Sequence, residues 1–173
     1  VRFLNKPEPL PVLGEVGEFA LTERSGAAIT DASLLNHVWI ADFVFTHCAG
    51  PCPMMTARMA DLQDELAGLN NVKLVTISVD PERDTPEVLT AYAAKFEADA
   101  DRWWFLTGPM SQIATLAVER FKLGSVEDPI FHSTRFVLVD GQGRIRGYYD
   151  SEEQEHTGRI VADVRRLLAE ARR

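Results

Sequence analysis

The sequence has no excess of positive charge and no long apolar run, and it contains only two cysteines. Its 18 basic and 26 acidic residues give a net charge of −8, which repels phosphate backbones and anionic lipid headgroups, so we expect no nucleic-acid partner. No stretch approaches the 18 apolar residues that a membrane-spanning helix needs. Gly and Pro are too few to indicate a disordered or collagen-like chain.

The length and composition of the chain fit a single domain that follows an extended N-terminal segment, the leader. The 173 residues are close to the length of a single domain and suffice for a core without disulfide staples. Neither a repeat nor a break in composition marks a second domain. Three prolines between residues 7 and 11 favour an extended backbone. We therefore predict a proline-rich tether over residues 1–15 and a single domain over residues 16–173.

Alternating strand and helix patterns predict an α/β fold with a central mixed sheet flanked by helices. Residues 37–45 and 72–79 are almost wholly apolar, as buried strands are, and apolar residues recur at helical spacing between them, which makes a βαβ unit with parallel strands. An extra N-terminal hairpin is predicted over residues 19–30. The remaining predicted elements are helices near residues 85–96 and 111–121, a short strand at 103–106 and a hairpin over 135–149. A closing helix is predicted with its apolar face formed by Ile160, Val164, Leu167, Leu168 and Ala171.

The two cysteines, Cys48 and Cys52, fall between the first buried strand and the following helix. Ligand sites in open α/β sheets form at this end of a strand, and a helix N-terminus lowers the pKa of a thiol. The thiolate attacks disulfides and binds soft metal ions. A structural disulfide is the plain alternative, but a bridge that closes so short a loop adds little stability.

Two thiolates leave Cu(I) or Zn(II) under-coordinated, so a third ligand is needed. His132 directly precedes the predicted strand at residue 135, which we expect to pass beside the end of the cysteine-bearing strand; a lone histidine is nevertheless more often an ordinary polar side chain. His47 adjoins Cys48, but neighbours on an extended strand point to opposite faces. We expect His37 to be structural or on the surface and His156 to be solvated.

Other polar or soft side chains near the cysteines have simpler explanations. Met54 lies off the apolar stripe of its helix and is a candidate fourth ligand or docking contact. Asp80 and Asp84 occur in turn sequences, Asp-Pro and Asp-Thr-Pro, where local hydrogen bonds account for them.

Taken together, these motifs resemble the Sco/SenC family of copper-binding proteins with a thioredoxin-like fold. The resemblance covers nearly the whole chain, in family order. The segments that carry it are Val44-Phe-Thr-His-Cys48 with its Cys-X-X-X-Cys-Pro, Ser78-Val-Asp-Pro-Glu-Arg-Asp-Thr-Pro86, Leu106-Thr-Gly108, His132-Ser-Thr and Asp140-Gly-Gln-Gly143.

The resemblance implies a copper site formed by Cys48, Cys52 and His132 that takes both Cu(I) and Cu(II). It also implies a metallochaperone that assists assembly of the dinuclear copper centre of cytochrome c oxidase, with the copper-binding subunit of the oxidase and a copper donor chaperone as partners. Family members face the bacterial periplasm or the mitochondrial intermembrane space from an N-terminal anchor. We expect a monomer on the outer face of a bacterial cytoplasmic membrane, tethered by an anchor that precedes this chain.

Two other functions share the same thiols. In the first, Cys48 and Cys52 are the redox pair of a thiol-disulfide oxidoreductase that reduces target cysteines, although such enzymes carry Cys-X-X-Cys with a facing cis-proline. The second is a peroxiredoxin-like peroxidase, with which this chain shares only the activation of a thiolate. The sequence does not decide between copper delivery and thiol reduction.

Overall fold

The computed structural model describes residues 8–124 and 133–173, which form an α/β fold around one mixed sheet. Within these residues the sheet has eight strands in the order β1-β8-β7-β4-β5-β6-β2-β3. The strands are β1 Gly14–Glu15, β2 Ala20–Glu23, β3 Ala28–Thr30, β4 Val38–Val44, β5 Val72–Ser78, β6 Trp103–Thr107, β7 Arg135–Val139 and β8 Arg144–Asp150. The helices are α1 Cys52–Glu65, α2 Pro86–Lys95, α3 Met110–Ala114 and α4 His156–Ala171.

The predicted βαβ unit is confirmed, and it forms the centre of the molecule. Strands β4 and β5 pair in parallel from Val38↔Val72 to Val44↔Ser78, with α1 between them in sequence. All seven residues of β4 are buried, as its apolar run predicted. The hairpin of β2 and β3 and the hairpin of β7 and β8 are also where the sequence placed them.

Helices cover both faces of the sheet. Alternate residues of β4 point to opposite sides, with Val38 and Ile40 on one side and Trp39 and Phe43 on the other. The first side packs against α1, α2 and α4 through Met55, Met59, Leu62, Leu89, Tyr92, Ile160 and Val164. The second packs against α3 and the short 3₁₀ turn Asp31–Leu34. No helix in the described part of the chain is long and apolar enough to cross a membrane.

The extended leader is held against the domain over its described part. Gly14 and Glu15 pair with the start of β8, and the guanidinium of Arg146 donates to the backbone carbonyls of Leu10 and Pro11. Prolines keep this segment extended, so its carbonyls are free to accept these bonds. A tether function for residues 1–15 remains a prediction.

Two details differ from the sequence prediction. The helix near residues 111–121 continues after Ala114 as a π-helical segment, Thr115–Arg120, closed by a 2.8 Å bond from the Phe121 N–H to the Leu116 carbonyl. Hydrophobic spacing over one turn cannot separate the two helix types. The expectation that His156 is solvated is wrong: it is 1% exposed, with its ring centroid 5.7 Å from that of Phe136, because the first turn of α4 packs on the sheet.

Candidate functional site

The candidate site is the loop that leaves the sheet at the carboxyl end of β4 and enters α1. It carries Cys48 and begins the helix with Cys52. Both side chains are buried free cysteines, 9% and 4% exposed, and they pack with Val44 and Phe45. The predicted location at the strand end and helix start is therefore confirmed.

The backbone around the first thiol supplies hydrogen-bond donors. The Gly50 N–H donates to the Cys48 Sγ at 3.4 Å, and the Cys48 N–H closes a turn onto the Phe45 carbonyl at 3.2 Å. Helix α1 has no side-chain cap, since Pro51 occupies its N-cap position. The Cys52 N–H, at the first position of the helix, bonds instead to the Cys48 sulfur, while Pro53 has no N–H.

The two thiols have opposite pKa shifts. Burial acts to raise the pKa of Cys48, but hydrogen bonds from the Cys52 thiol, the Cys52 N–H and the Gly50 N–H together hold it below its ordinary value. Burial raises the pKa of Cys52 to about 12, and the neighbouring charges of Cys48 and Asp42 act in the same direction. Cys48 is thus the thiol that ionises first, and Cys52 holds its proton until a metal ion or a disulfide replaces it.

Thr56 and Tyr92 form a buried polar pair next to Cys52. The Thr56 hydroxyl lies 3.0 Å from the Cys52 carbonyl and 2.9 Å from the Tyr92 hydroxyl. Burial raises the pKa of Tyr92 to about 12, so its phenol stays neutral. These contacts fix the first turn of α1 against α2.

A buried carboxylate, Asp84, joins this loop to the segment after β5. Its Oδ2 accepts from the Thr46 N–H at 3.0 Å and from the Ser78 hydroxyl at 2.6 Å, and its Oδ1 accepts from the Thr46 hydroxyl at 2.5 Å. Asp84 is fully buried. The turn sequence Asp-Thr-Pro predicted only local bonds for Asp84, so this contact across 38 residues was not expected. An aspartate just beyond a strand that neighbours the cysteine-bearing strand was the available signal.

Asp42, another fully buried aspartate, lies within β4. Its Oδ1 accepts from the Thr76 hydroxyl at 2.6 Å, and its Oδ2 has no hydrogen-bond partner among the residues described. Burial raises the pKa of Asp42 to about 7 against the lowering effect of the Thr76 bond. The sequence analysis did not single out this residue.

The third predicted ligand, His132, lies outside the described residues. Within the described ranges, no group of three His, Cys, Asp or Glu side chains is placed to hold a metal ion. The two thiols that are described are soft donors of the kind that Cu(I) prefers.

The neighbours considered as extra ligands have other contacts. The His47 Nδ1 lies 3.3 Å from the Thr46 hydroxyl and 3.8 Å from the Asp84 Oδ1, with its side chain more than half exposed. Met54 is 56% exposed, and its sulfur lies 3.8 Å from the Arg58 Nη2. The Nδ1 of His37, at the opposite end of β4, lies 3.0 Å from the Leu35 carbonyl.

The sequence of this chain matches the family model described as SCO1/SenC over residues 11–169. Among curated proteins, the SCO1 protein homolog of Bacillus subtilis is 37% identical over 161 residues, which cover 90% of this chain and 83% of that protein.

Solved structures agree with the sequence match. BsSco, described as a member of the Sco family of cytochrome c oxidase assembly proteins in which a disulfide switch was identified, superimposes with a TM-score of 0.80 at 37% identity, covering 90% of this chain and 95% of that one. A SCO1/SenC family lipoprotein from Bacillus anthracis gives 0.84 at 32% identity, covering 93% and 99%. Arabidopsis thaliana ScoI with copper bound gives 0.73 at 26% identity, covering 88% and 98%. The chain belongs to the SCO1/SenC family and has its thioredoxin-like α/β fold.

Proposed function

We propose that this protein is a copper metallochaperone that binds copper through Cys48, Cys52 and His132 and assists assembly of the dinuclear copper centre of cytochrome c oxidase. The observation that carries the proposal is the pair of buried free thiols at the N-terminus of α1, the first of which has a lowered pKa. Two thiolates and one imidazole form a soft donor set that suits Cu(I). The structurally similar proteins with copper bound support copper as the cargo.

The strand order supports the choice of His132 as the third ligand. Strand β7 runs antiparallel to β4, with Ile40 opposite Leu138, so the chain enters β7 at the edge of the sheet where β4 ends. Thr134 is fixed there by a 2.8 Å bond to its carbonyl from the Ser151 N–H. His132 is two residues away in sequence, a short reach for a ligand.

The chain's own groups account for loading and release. The Cys48 thiolate accepts the ion first, because the N–H of Gly50 and the thiol of Cys52 already favour its charge. Binding then displaces the proton of Cys52, whose raised pKa keeps that thiol protonated in the metal-free protein. A partner that offers thiolates and imidazoles can take the ion by sequential ligand exchange.

The proposed partners are the copper-binding subunit of cytochrome c oxidase and a copper donor chaperone. We place the protein on the outer face of a bacterial cytoplasmic membrane as an anchored monomer. The lipoprotein among the similar structures supports anchoring, and two free cysteines capable of a disulfide suit an oxidising compartment.

The first prediction concerns the ligand set. We expect the reduced protein, titrated anaerobically with Cu(I) against a competing chelator, to bind one equivalent tightly. His132→Ala should weaken binding at least about 100-fold, since the ion loses one of three ligands. Cys48→Ser should weaken it further, because a hydroxyl does not replace a thiolate as a soft donor.

The matched control is His37→Ala, which removes a histidine from the opposite end of β4 and should leave the affinity unchanged. Equal affinities for the His132 and His37 variants would remove His132 from the site. Tight binding by a sample oxidised to the Cys48–Cys52 disulfide would place copper elsewhere.

A thiol-disulfide reductase is the second candidate, favoured by the opposite pKa shifts of the two thiols. In that function Cys48 attacks a target disulfide, and Cys52 resolves the mixed disulfide, so that two target thiols are released as the protein disulfide forms. Reduction of the oxidised oxidase subunit by metal-free protein, lost in Cys52→Ser, would favour this function. Copper transfer without any change in the thiol count of the subunit would favour delivery.

A further inference from the structure

We propose that Asp84 is the positioning residue of the Cys48–Cys52 pair: its carboxylate anchors Thr46 and thereby holds Cys48 at the distance from Cys52 that copper binding and disulfide formation both require. The inference rests on the proposed function of the two thiols. It concerns a residue that contacts neither sulfur in the structure and acts through the backbone two residues before Cys48.

The loop between β4 and α1 needs such an anchor. The last bond that ties the end of β4 to β5 is from the Val79 N–H to the Val44 carbonyl at 2.9 Å. Beyond it, the Cys48 N–H turns back onto the Phe45 carbonyl at 3.2 Å, and the Phe45 backbone bonds to the Cys52 sulfur at the start of α1. The two bonds from Thr46 to Asp84 connect this stretch to the segment that follows β5.

Asp84 is itself fixed on both sides. It is fully buried, its own N–H donates to the Asp80 carbonyl at 2.9 Å, and its Oδ2 also accepts from the Ser78 hydroxyl. Ser78 ends β5 directly opposite Val44 in the parallel register. The carboxylate thus fixes Thr46 relative to the sheet. Hydrogen bonds of this kind restrict the motion of the loop.

The site is built for a carboxylate rather than an amide. All three groups that hydrogen-bond to the Asp84 carboxylate act as donors, and the Ser78 oxygen also accepts from the Asp80 N–H at 3.1 Å, which directs its proton to Asp84. Asparagine has nearly the same shape but no charge, and its NH₂ group cannot accept the bond that the Thr46 hydroxyl donates. Asp84→Asn therefore weakens the anchor with almost no change in volume.

The test measures two properties that depend on how closely the thiols are held. One is Cu(I) affinity by chelator competition; the other, without metal, is the equilibrium constant against glutathione. In that reaction the protein dithiol and glutathione disulfide give the protein disulfide and two glutathione thiols, so one S–S bond forms for each one broken. We expect Asp84→Asn to lower each constant about tenfold to a hundredfold, and tenfold in the second equals about 30 mV.

Three further variants test the position of the anchor. Thr46→Val deletes the hydroxyl bond but keeps the N–H bond, so it should lower both constants less than Asp84→Asn. Thr46→Ser retains the hydroxyl and should restore them. Adding Thr46→Val to Asp84→Asn should have little additional effect, because both changes break the same contact. Val164→Ala, a cavity in the core contact of α4 far from the loop, is the control for lost stability.

Each result decides the proposal. Constants within about twofold of wild type in folded Asp84→Asn would overturn it, and so would an equal loss in Val164→Ala. If Asp84→Asn does not fold, the Thr46 pair decides, and equal constants for Val and Ser at that position would overturn it. If the wild type binds no copper, the proposed function fails, while the glutathione equilibrium still tests Asp84 on its own.

Discussion

Asp42 is a buried carboxyl group, and the fold gives its ionised form few hydrogen bonds. It lies at the middle of β4 with one carboxylate oxygen bonded to Thr76 and the other without a partner among the residues described. The Trp103 indole N–H donates to the same Thr76 oxygen at 2.9 Å, so the threonine directs its proton to Asp42. An ionised Asp42 therefore has one strong bond where a carboxylate in water has several.

This burial predicts a pH dependence of stability. Because the folded-state pKa of about 7 lies above the ordinary 3.8, the folded protein binds the extra proton between these values, and the free energy of unfolding falls as pH rises from about 4 to 7. The loss amounts to about 4 kcal/mol at most. Asp42→Asn should remove it and be more stable than wild type at pH 8, as measured by urea unfolding at pH 5 and pH 8.

The control for this prediction is Asp61→Asn, which removes an exposed carboxyl from α1. It should lose stability between pH 5 and pH 8 as the wild type does. If Asp42→Asn lost stability over the same interval to the same extent, the pH dependence would have to come from other groups.

At the scale of elements, the two helices that begin beside the site start in different ways. Helix α2 is capped by Thr85, whose hydroxyl accepts from the Val88 N–H at 3.3 Å, with Pro86 in its first turn. Helix α1 has Pro51 at the N-cap and no side-chain bond. The cap stabilises α2, whereas the uncapped first turn of α1 leaves the Cys52 N–H to the Cys48 sulfur.

The cap of α2 gives a prediction about stability alone. Thr85→Ala should lower the free energy of unfolding by about 1 kcal/mol, because one first-turn N–H loses its acceptor. Thr85→Ser, which keeps the hydroxyl, should stay close to wild type. Urea unfolding at pH 7 measures both, and equal losses in the two variants would show that the methyl group, not the cap, is responsible.

At the scale of the whole molecule, Arg146 connects parts of the chain that are distant in sequence. Its guanidinium lies 2.9 Å from the Asp140 carboxylate in the β7–β8 turn and 3.0 Å from the Glu170 carboxylate at the end of α4, and it donates to the leader at Leu10 and Pro11. Arg146 is 4% exposed. The closing helix and the leader are thus both held to the sheet by one cation.

Removing this cation should destabilise the whole domain. Arg146→Met removes the buried cationic partner of Asp140 and leaves it only the more exposed Arg144, so we expect a loss of about 3–5 kcal/mol at pH 7. Arg144→Met removes the more exposed partner of Asp140 and should cost about 1 kcal/mol or less. Urea unfolding of the two variants tests this order, and a larger loss in Arg144→Met would contradict it.

The ion pair of Asp140 and Arg146 also affects how the stability of the protein changes in acid. Although burial opposes it, hydrogen bonds from the Arg144 N–H, the Arg146 guanidinium and the Gln142 N–H hold the pKa of Asp140 below its ordinary value. Stability from a carboxylate of this kind is present above about pH 4 and is lost as pH falls through the lowered pKa. The difference between wild type and Arg146→Met should therefore shrink between pH 5 and pH 2.

The sequence by itself determined the layers of the fold and the place of the site. The apolar run at residues 37–45, the helical spacing after residue 52 and the second run at 72–79 predict a βαβ unit, because the periodicity of apolar residues is a local property. The location of the two cysteines could be predicted in the same way, because the order of elements along the chain places them between a strand and a helix. The role of His132 stays a prediction.

Only the tertiary structure decided which polar groups meet. The contact between Thr46 and Asp84 depends on the register of β4 against β5, and the burial of His156 depends on how α4 packs on the sheet. The single bond of Asp42 depends on which threonine faces it from the next strand. Residue spacing specifies which face of an element is apolar, whereas pairing across elements is set by register and packing, which no local pattern contains.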